Sequence, residues 1–481
     1  MARYVEYTRD TVLFVSGSLQ DLLPEDSAAR ALWAGLEQLD FGAYDALHTN
    51  DEAGRPAVHP RCLAAVWILA ILRGVTSSVR LAWLCGRDIE FRWLLGDVPV
   101  EKSTLCDFRK NHKAALVSLS AQVLGALGQN GLLPGEDMGV DGSIVRAASS
   151  RHAVKSRKSL ERRKKHLETI IEEKLSQEHC DSESEEMKAL ERRRERTAQA
   201  LEDMTAQGLT EATDRWTMTE PDASLKRQKD GSFAPGYNAQ AVPDLASGAL
   251  VHTEVVDAGN DSGQLQPQVE GAQAVLEAVK PDAAKGGIQS IAADGAYHDA
   301  RQLEDLEQQG VQCFVPEDRN ANRTPPGVAP EYRAEAFAYD EQTDTMQCPQ
   351  GQTMKRRKLN NTQTSAVYQA PAQTCQTCPA KSHCCPKAKQ GRCVNRSLHT
   401  ETLDKVAQRV NSEEGRRMKV ARSIACEGAF ARLKELLHWP RCRMWNRAGA
   451  EMELLWRQFI HNLMLLTGIW KPIVATAHAN G

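Results

Sequence analysis

The sequence predicts a mixed α/β protein with an all-helical N-terminal part, and three observations predict it. Apolar residues recur at helical spacing through residues 62–72 and 116–127. Strand character begins at residues 138–147 and returns from Gly236, with acids and glycines embedded in it. Six of the 13 cysteines fall between Cys348 and Cys393. A chain of 481 residues is long enough for two to four structural units.

The N-terminal helices come first. After the 116–127 repeat, the breaker Gly131–Pro134–Gly135 closes this part. Between the two apolar repeats, Ser103 or Thr104 is expected to cap a helix running through Arg109. Short helices in series suit a DNA-binding or dimerisation module, and plain helical packing explains the same pattern. Residues 138–147 (MGVDGSIVRA) then read as a strand. Residues 151–200 carry 14 Lys+Arg and 11 Asp+Glu, with Leu160, Leu167, Ile171 and Leu175 at coiled-coil-like spacing. That is the pattern of a solvated helical hairpin inserted into the domain.

Strands are expected at residues 237–242 and 249–256, joined by a polar turn into a hairpin. A helix over 265–279, a buried strand over 287–293, a helix over 299–309 and a strand over 311–315 follow. This β-β-α-β-α-β order describes one α/β domain whose first strand is cut off by the charged insertion. Residues 351–400 hold nine Lys+Arg and no acid, the most asymmetric charge block in the chain. From Glu401 the pattern is helical again.

Composition excludes several classes. Lys+Arg 60 against Asp+Glu 63 leaves a net charge of -3, so nucleic-acid contact must come from local patches. Residues 1–10 do not read as a secretory leader, and no apolar stretch is long enough to span a bilayer. An odd number of cysteines points to free thiols rather than a secreted disulfide framework. A soluble cytoplasmic protein without a membrane partner is expected.

Three acids stand where secondary structure would present them: Asp141 in a short strand, Asp294 after one, and Glu427 in a basic helical stretch that continues to Lys434. The spacing of Glu427 and Lys434, two α-helical turns, predicts one shared helix face. Converging carboxylates form a hard-oxygen site suited to two Mg²⁺ ions. For any single Asp-Gly taken alone, a turn or capping residue is the favoured reading. The Cys375-x-x-Cys378 pair places two thiolates on one tetrahedral ion. Cys348 and Cys384 would complete a structural Zn²⁺ site, with Cys385 as the alternate fourth ligand and Cys393 spare.

In this order, VDGSIVRAASSR, PGYNAQ, AADGAYHDARQLEDLEQQGVQCFVPE and ARSIACEGAFARLKELL resemble a bacterial insertion-sequence transposase of the DDE class. HPRCLAAVWILAILRGVTSSVRLAWLCGRDIEFRWLLGD with STLCDFR resembles that family's N-terminal domain. The resemblance implies a ribonuclease H-like catalytic core, a mixed sheet flanked by helices, with a Cys-rich insertion. Its catalytic triad falls on Asp141, Asp294 and Glu427, which would bind Mg²⁺ (or Mn²⁺). The family's Tyr and Arg ahead of the Glu align with Val420 and Ser423 here, with Arg422 one residue off, whereas Lys434 fits.

The domains then follow as residues 1–134, a helical DNA-binding or dimerisation part, and 135–318, the core with its insertion at 151–212. Residues 319–400 form the basic Cys-rich insertion, and 401–481 the helical part carrying the Glu. The expected activity is DNA cleavage at element ends and strand transfer, by a homodimer on DNA. Arg422, Lys434 and the run Lys355, Arg356, Arg357, Lys358 are candidate DNA contacts. The alternative is a catalytically inactive, transposase-derived DNA-binding protein; a phosphatase would need a tandem-Asp motif that the chain lacks.

Overall fold

The computed structural model describes residues 17–45, 57–176, 184–228, 230–279, 287–317, 327–360 and 364–468. The N-terminal residues read above for a leader lie outside them. The chain forms two compact units, one of Met1–Ala126 with Leu433–Trp439 and Leu455–Gly481, the other of Leu127–Arg432 with Pro440–Leu454.

The first unit is helical. Its centre is α1 (Pro60–Leu72), apolar all round and buried along nearly its whole length, as a central core helix must be. Around it lie α2 (Ser78–Cys85), α3 (Ile89–Leu95) and α4 (Lys102–Asn111). Trp67 is fully buried, donates its indole N–H to Leu105 O at 2.9 Å, and lies under the Arg109 guanidinium. The expected Ser/Thr cap is not formed. α4 starts earlier, at Lys102, with Glu101 in the cap position and no side-chain cap bond, so Ser103 and Thr104 lie inside the first turn. An exposed helix start can leave those amides to water.

The second unit contains a mixed sheet. Strand β1 (Asp137–Gly139) and β2 (Asp141–Arg146) are separated only by Val140 and run as one strand with two partners. β2 pairs antiparallel with β3 (Phe233–Pro243), which pairs antiparallel with β4 (Leu250–Val256). β1 pairs in parallel with β5 (Ser290–Ala292), and β5 in parallel with β6 (Gln312–Phe314). The order across the sheet is therefore β4–β3–β2/β1–β5–β6. Met138, Val140, Val145, Ala239, Ala241 and Ile291 supply its buried residues. The expected elements are all present: the helix Leu265–Val279 has the bounds read from the sequence, and Ala300–Gln308 is capped by Asp299.

Between β2 and β3 the charged segment forms two packed helices, Arg157–Leu175 and Glu185–Ala206, based on a short strand pair. Leu160, Leu167 and Ile171 are buried in the hairpin, whereas Leu175 at its end is exposed. After β6, five strands form an antiparallel sheet in sequence order: β7 (Ala338–Asp340), β8 (Thr345–Gln347), β9 (Thr353–Leu359), β10 (Ser365–Gln369) and β11 (Cys393–Ser397). Its core is Phe337, Met346, Met354, Ala366, Tyr368 and Val394. The sequence reading found no strands here, because charge and cysteine dominate the pattern while the buried residues are few.

Helices Thr400–Asn411 and Glu413–Arg422 lead into a π-helical turn, Ser423–Glu427. A short α stretch and a second π turn, Arg432–Leu436, follow. The single regular helix expected to carry Glu427 and Lys434 is thus interrupted twice, and their spacing does not fix a common face.

Candidate active site

Two of the three predicted acids come together. Asp141 opens β2, where the strand's pairing passes from β5 to β3. Asp294 follows β5 and caps a short 3-10 turn, accepting a bond from Ala296 N at 2.8 Å. Both acids therefore lie past the C-terminal ends of neighbouring parallel strands, where open α/β sheets form their ligand crevices. The connecting cation is Arg422. Its Nη2 is 3.2 Å from Asp141 Oδ1 and 3.8 Å from Asp294 Oδ2, and its Nε donates to Val140 O at 3.5 Å. The arginine side chain is only 14% exposed.

Electrostatics follow from this packing. Burial pushes the Asp141 carboxyl up to about 6, against the opposing pull of Arg422 and with added repulsion from Asp294 and Asp261. The Cys426 thiol is pushed well above its ordinary range, first by burial and then by Asp141, with Glu427 and Asp294 contributing. Two glycines permit the close fit. A Cβ on Gly139 would meet Cys426 Sγ at 2.7 Å, so a glycine at the end of β1 lets the π turn approach the sheet. A Cβ on Gly142 would collide with Asp261 Oδ1.

Glu427 lies on the π turn next to Cys426, exposed, with one oxygen held by the Ser423 hydroxyl at 2.8 Å. It is not drawn into the Arg422 pairs. An i→i+5 turn separates Arg422 from Glu427, so a five-residue spacing here does what four residues do in an α-helix. Lys434 lies on the second π turn and belongs to the other compact unit. Among the described residues, no three His, Cys, Asp or Glu side chains converge tightly enough to hold a metal ion. The donor chemistry of Asp141 and Asp294 nevertheless fits a hard divalent cation: two carboxylates already share one positive atom, and that atom's position stands in for the ion's charge.

Cys348, Cys375, Cys378, Cys384 and Cys385 line one pocket at the edge of the antiparallel sheet, whereas Cys393 is exposed. Gln352 N donates to Cys348 Sγ at 3.3 Å and Arg392 N to Cys375 Sγ at 3.4 Å. Burial pushes the Cys384 thiol up to about 12 and raises that of Cys385. Soft sulfur donors around one pocket fit Zn²⁺ in kind. Lys355, Arg356, Arg357 and Lys358 are exposed along β9; Arg356 pairs with Asp344 at 3.2 Å, and Arg357 donates to Gln369 at 3.0 Å.

Residues 347–467 match the family described as Transposase DDE domain, and residues 17–111 match the family described as Transposase domain (DUF772). Two separate transposase domain models thus match, one in the N-terminal and one in the C-terminal part, which supports an insertion-sequence transposase of the DDE class. The first match takes in Glu427, the cysteines of the pocket and the basic β9; Asp141 and Asp294 lie outside both matches. No match was found among curated proteins. Among the described residues, no helix is long and apolar enough to cross a membrane.

The sequence reading missed Asp261, Asn238, Gln240, Tyr297 and Ser423 around the acids. Asn238 and Gln240 carried a usable signal, since two amides at alternate positions of an otherwise apolar strand must find partners when buried.

Proposed function

We propose that the protein is an active DNA transposase that cleaves at element ends and joins the freed 3′ ends to target DNA. The observation that carries this reading is the sharing of one cationic atom by Asp141 and Asp294 beyond adjacent parallel strands. The strand order β4–β3–β2/β1–β5–β6, with only β3 antiparallel to both its neighbours, supports a ribonuclease H-like core. In such a core the acids stand on the first strand, after the fourth, and on a late helix, which matches Asp141 and Asp294 and sets Glu427 on the π-helical turn.

Divalent ions bound to these carboxylates supply Lewis acidity at a phosphodiester and activate the attacking hydroxyl or water. The residues of the chain do the rest. Asp141 and Asp294 hold the charge-dense site beside the sheet, and Glu427 on the π turn completes it on DNA binding. Arg422 pairs with both aspartates, and with a cation held there its guanidinium would be available to a DNA phosphate. Lys434 and the β9 run Lys355–Lys358 add phosphate contacts. The thiols of Cys348, Cys375, Cys378 and Cys384, or Cys385 in place of the last, hold a structural Zn²⁺. The helical N-terminal part binds DNA or a second copy of the chain, in the cytoplasm.

The test is nicking of labelled duplex carrying the element's ends, with and without Mg²⁺, by the wild-type chain and by Asp141→Asn. Mg²⁺-dependent nicking that Asp141→Asn loses supports the reading. DNA binding without nicking under all conditions would identify an inactive, transposase-derived DNA-binding protein instead.

A further inference from the structure

A fourth acid is built into the same sheet edge. Asp261 lies in the loop between β4 and the helix Leu265–Val279. Its Oδ1 accepts from Asn238 Nδ2 at 2.9 Å and from Gln240 Nε2 at 2.8 Å. Both amides come from β3, two residues apart and facing the same way, and they are 2% and 0% exposed. Gln240 is the register partner of Gly142, the residue after Asp141. Its other amide atom, Oε1, accepts from the Tyr297 hydroxyl. Tyr297 is fully buried and sits on the 3-10 turn that Asp294 caps.

Asp261 is thus bonded to the strand opposite Asp141 and, through Gln240 and Tyr297, to the turn of Asp294. Asn238 Oδ1 adds a second observation. It is buried, has no hydrogen-bond partner among the described residues, and lies 3.1 Å from where a Cβ on Gly142 would stand. Leaving a buried acceptor without a donor is costly, so its retention beside the acids calls for a role.

We propose that Asp261 is a positioning residue of the carboxylate site. It fixes through Gln240 and Asn238 the two backbone segments that carry Asp141 and Asp294, and it adds negative charge behind them that favours a divalent cation. The proposal rests on the reading of Asp141 and Asp294 as cation ligands. Groups that orient metal ligands without touching the ion typically cost ten- to a hundredfold in affinity when removed.

The experiment is a Mn²⁺ titration of the full chain by calorimetry, with thermal melts in chelator, for wild type, Asp261→Asn, Asn238→Ala and Asp141→Asn. Asp261→Asn is expected to bind Mn²⁺ about tenfold or more weakly while melting as wild type does in chelator. Asn238→Ala, which keeps the charge and removes one donor, should weaken binding by a smaller factor. It carries the test if Asp261→Asn does not fold. If Asp141→Asn loses Mn²⁺ while both other variants bind like wild type, whatever their melting points, Asp261 has no positioning role. If Asp141→Asn itself binds like wild type, the cation site fails and this proposal falls with it.

Discussion

The carboxylate site and the cysteine pocket both gather groups suited to cations, but they keep those groups in opposite states. Asp141 and Asp294 are balanced by an internal guanidinium that reaches both of them. In the pocket, burial raises the thiols of Cys384 and Cys385, and backbone N–H groups of Gln352 and Arg392 donate to the sulfurs of Cys348 and Cys375. The first site therefore has a resident cation that an incoming ion must displace. The second has only protons to release. Ion binding at the acids would be a competition between charges, whereas zinc binding at the thiols would be coupled to proton release and to the folding of the small sheet.

The largest effect expected from this difference is on cleavage. Asp141→Asn, Asp294→Asn and Glu427→Gln should each lower the nicking rate about a thousandfold, equivalent to about 4 kcal/mol, while DNA binding persists. Glu427 sharpens the comparison, because it stands apart from the Arg422 pairs: a mild effect of Glu427→Gln in single-turnover assays would remove it from the site.

Next comes zinc. Elemental analysis of reduced, freshly purified protein should find about one Zn²⁺ per chain, and Cys375→Ser should lose it and lower the melting temperature. Absence of zinc from wild type would leave the pocket as ordinary buried thiols, and the two regions would no longer be comparable.

Arg422→Gln tests the resident cation directly. In chelator the variant should lose about 1–3 kcal/mol of stability, because two carboxylates lose their charged partner. Its Mn²⁺ affinity should rise, because nothing competes for the acids. Equal Mn²⁺ affinity in titrations of the two proteins would show that the guanidinium does not guard the site.

A pH series separates the regions further. Asp141, raised to about 6, keeps its proton in the fold between the ordinary carboxylate range and pH 6, while the unfolded chain gives it up. Without metal, the stability contributed by this group falls as pH rises through that window. Divalent binding needs the ionised form, so Mn²⁺ affinity should fall as pH drops below about 6. Chelator melts and Mn²⁺ titrations at pH 5 and 7 read both slopes.

The smallest effect concerns β9. Replacing Lys355, Arg356, Arg357 and Lys358 together by alanine should weaken binding to element ends and to random duplex alike. Each lost phosphate contact should flatten the log–log salt dependence by about 0.9. Arg356 and Arg357 already have protein partners, so the change should amount to about two contacts rather than four. Identical salt curves would place the DNA grip elsewhere.

What was legible in the sequence follows the range of the interactions. The pocket cysteines could be selected because all of them fall within one short segment and two form a Cys-x-x-Cys pair. Strands β3 to β6 could be placed because apolar runs and turn residues are local signals. The strand character of residues 138–147, with an acid embedded in it, marked Asp141 for the same reason. Arg422 could not be given its role, because the atoms it bridges are 281 and 128 residues away in sequence and a π turn sets its direction. Asp261 was hidden by its setting: an acid in a polar loop looks solvated until the buried amides of Asn238 and Gln240 are found against it. The antiparallel sheet was overlooked because its strands are exposed on one side and carry charge where alternation would otherwise show.

The central claim is that Asp141 and Asp294 hold a divalent ion that takes the place of the Arg422 guanidinium. Anomalous diffraction from crystals grown with Mn²⁺ tests it most directly. The account predicts a peak within coordinating distance of both carboxylates, with Arg422 turned away from them. Full Mn²⁺ occupancy elsewhere, with Arg422 still bridging the two aspartates, would contradict it.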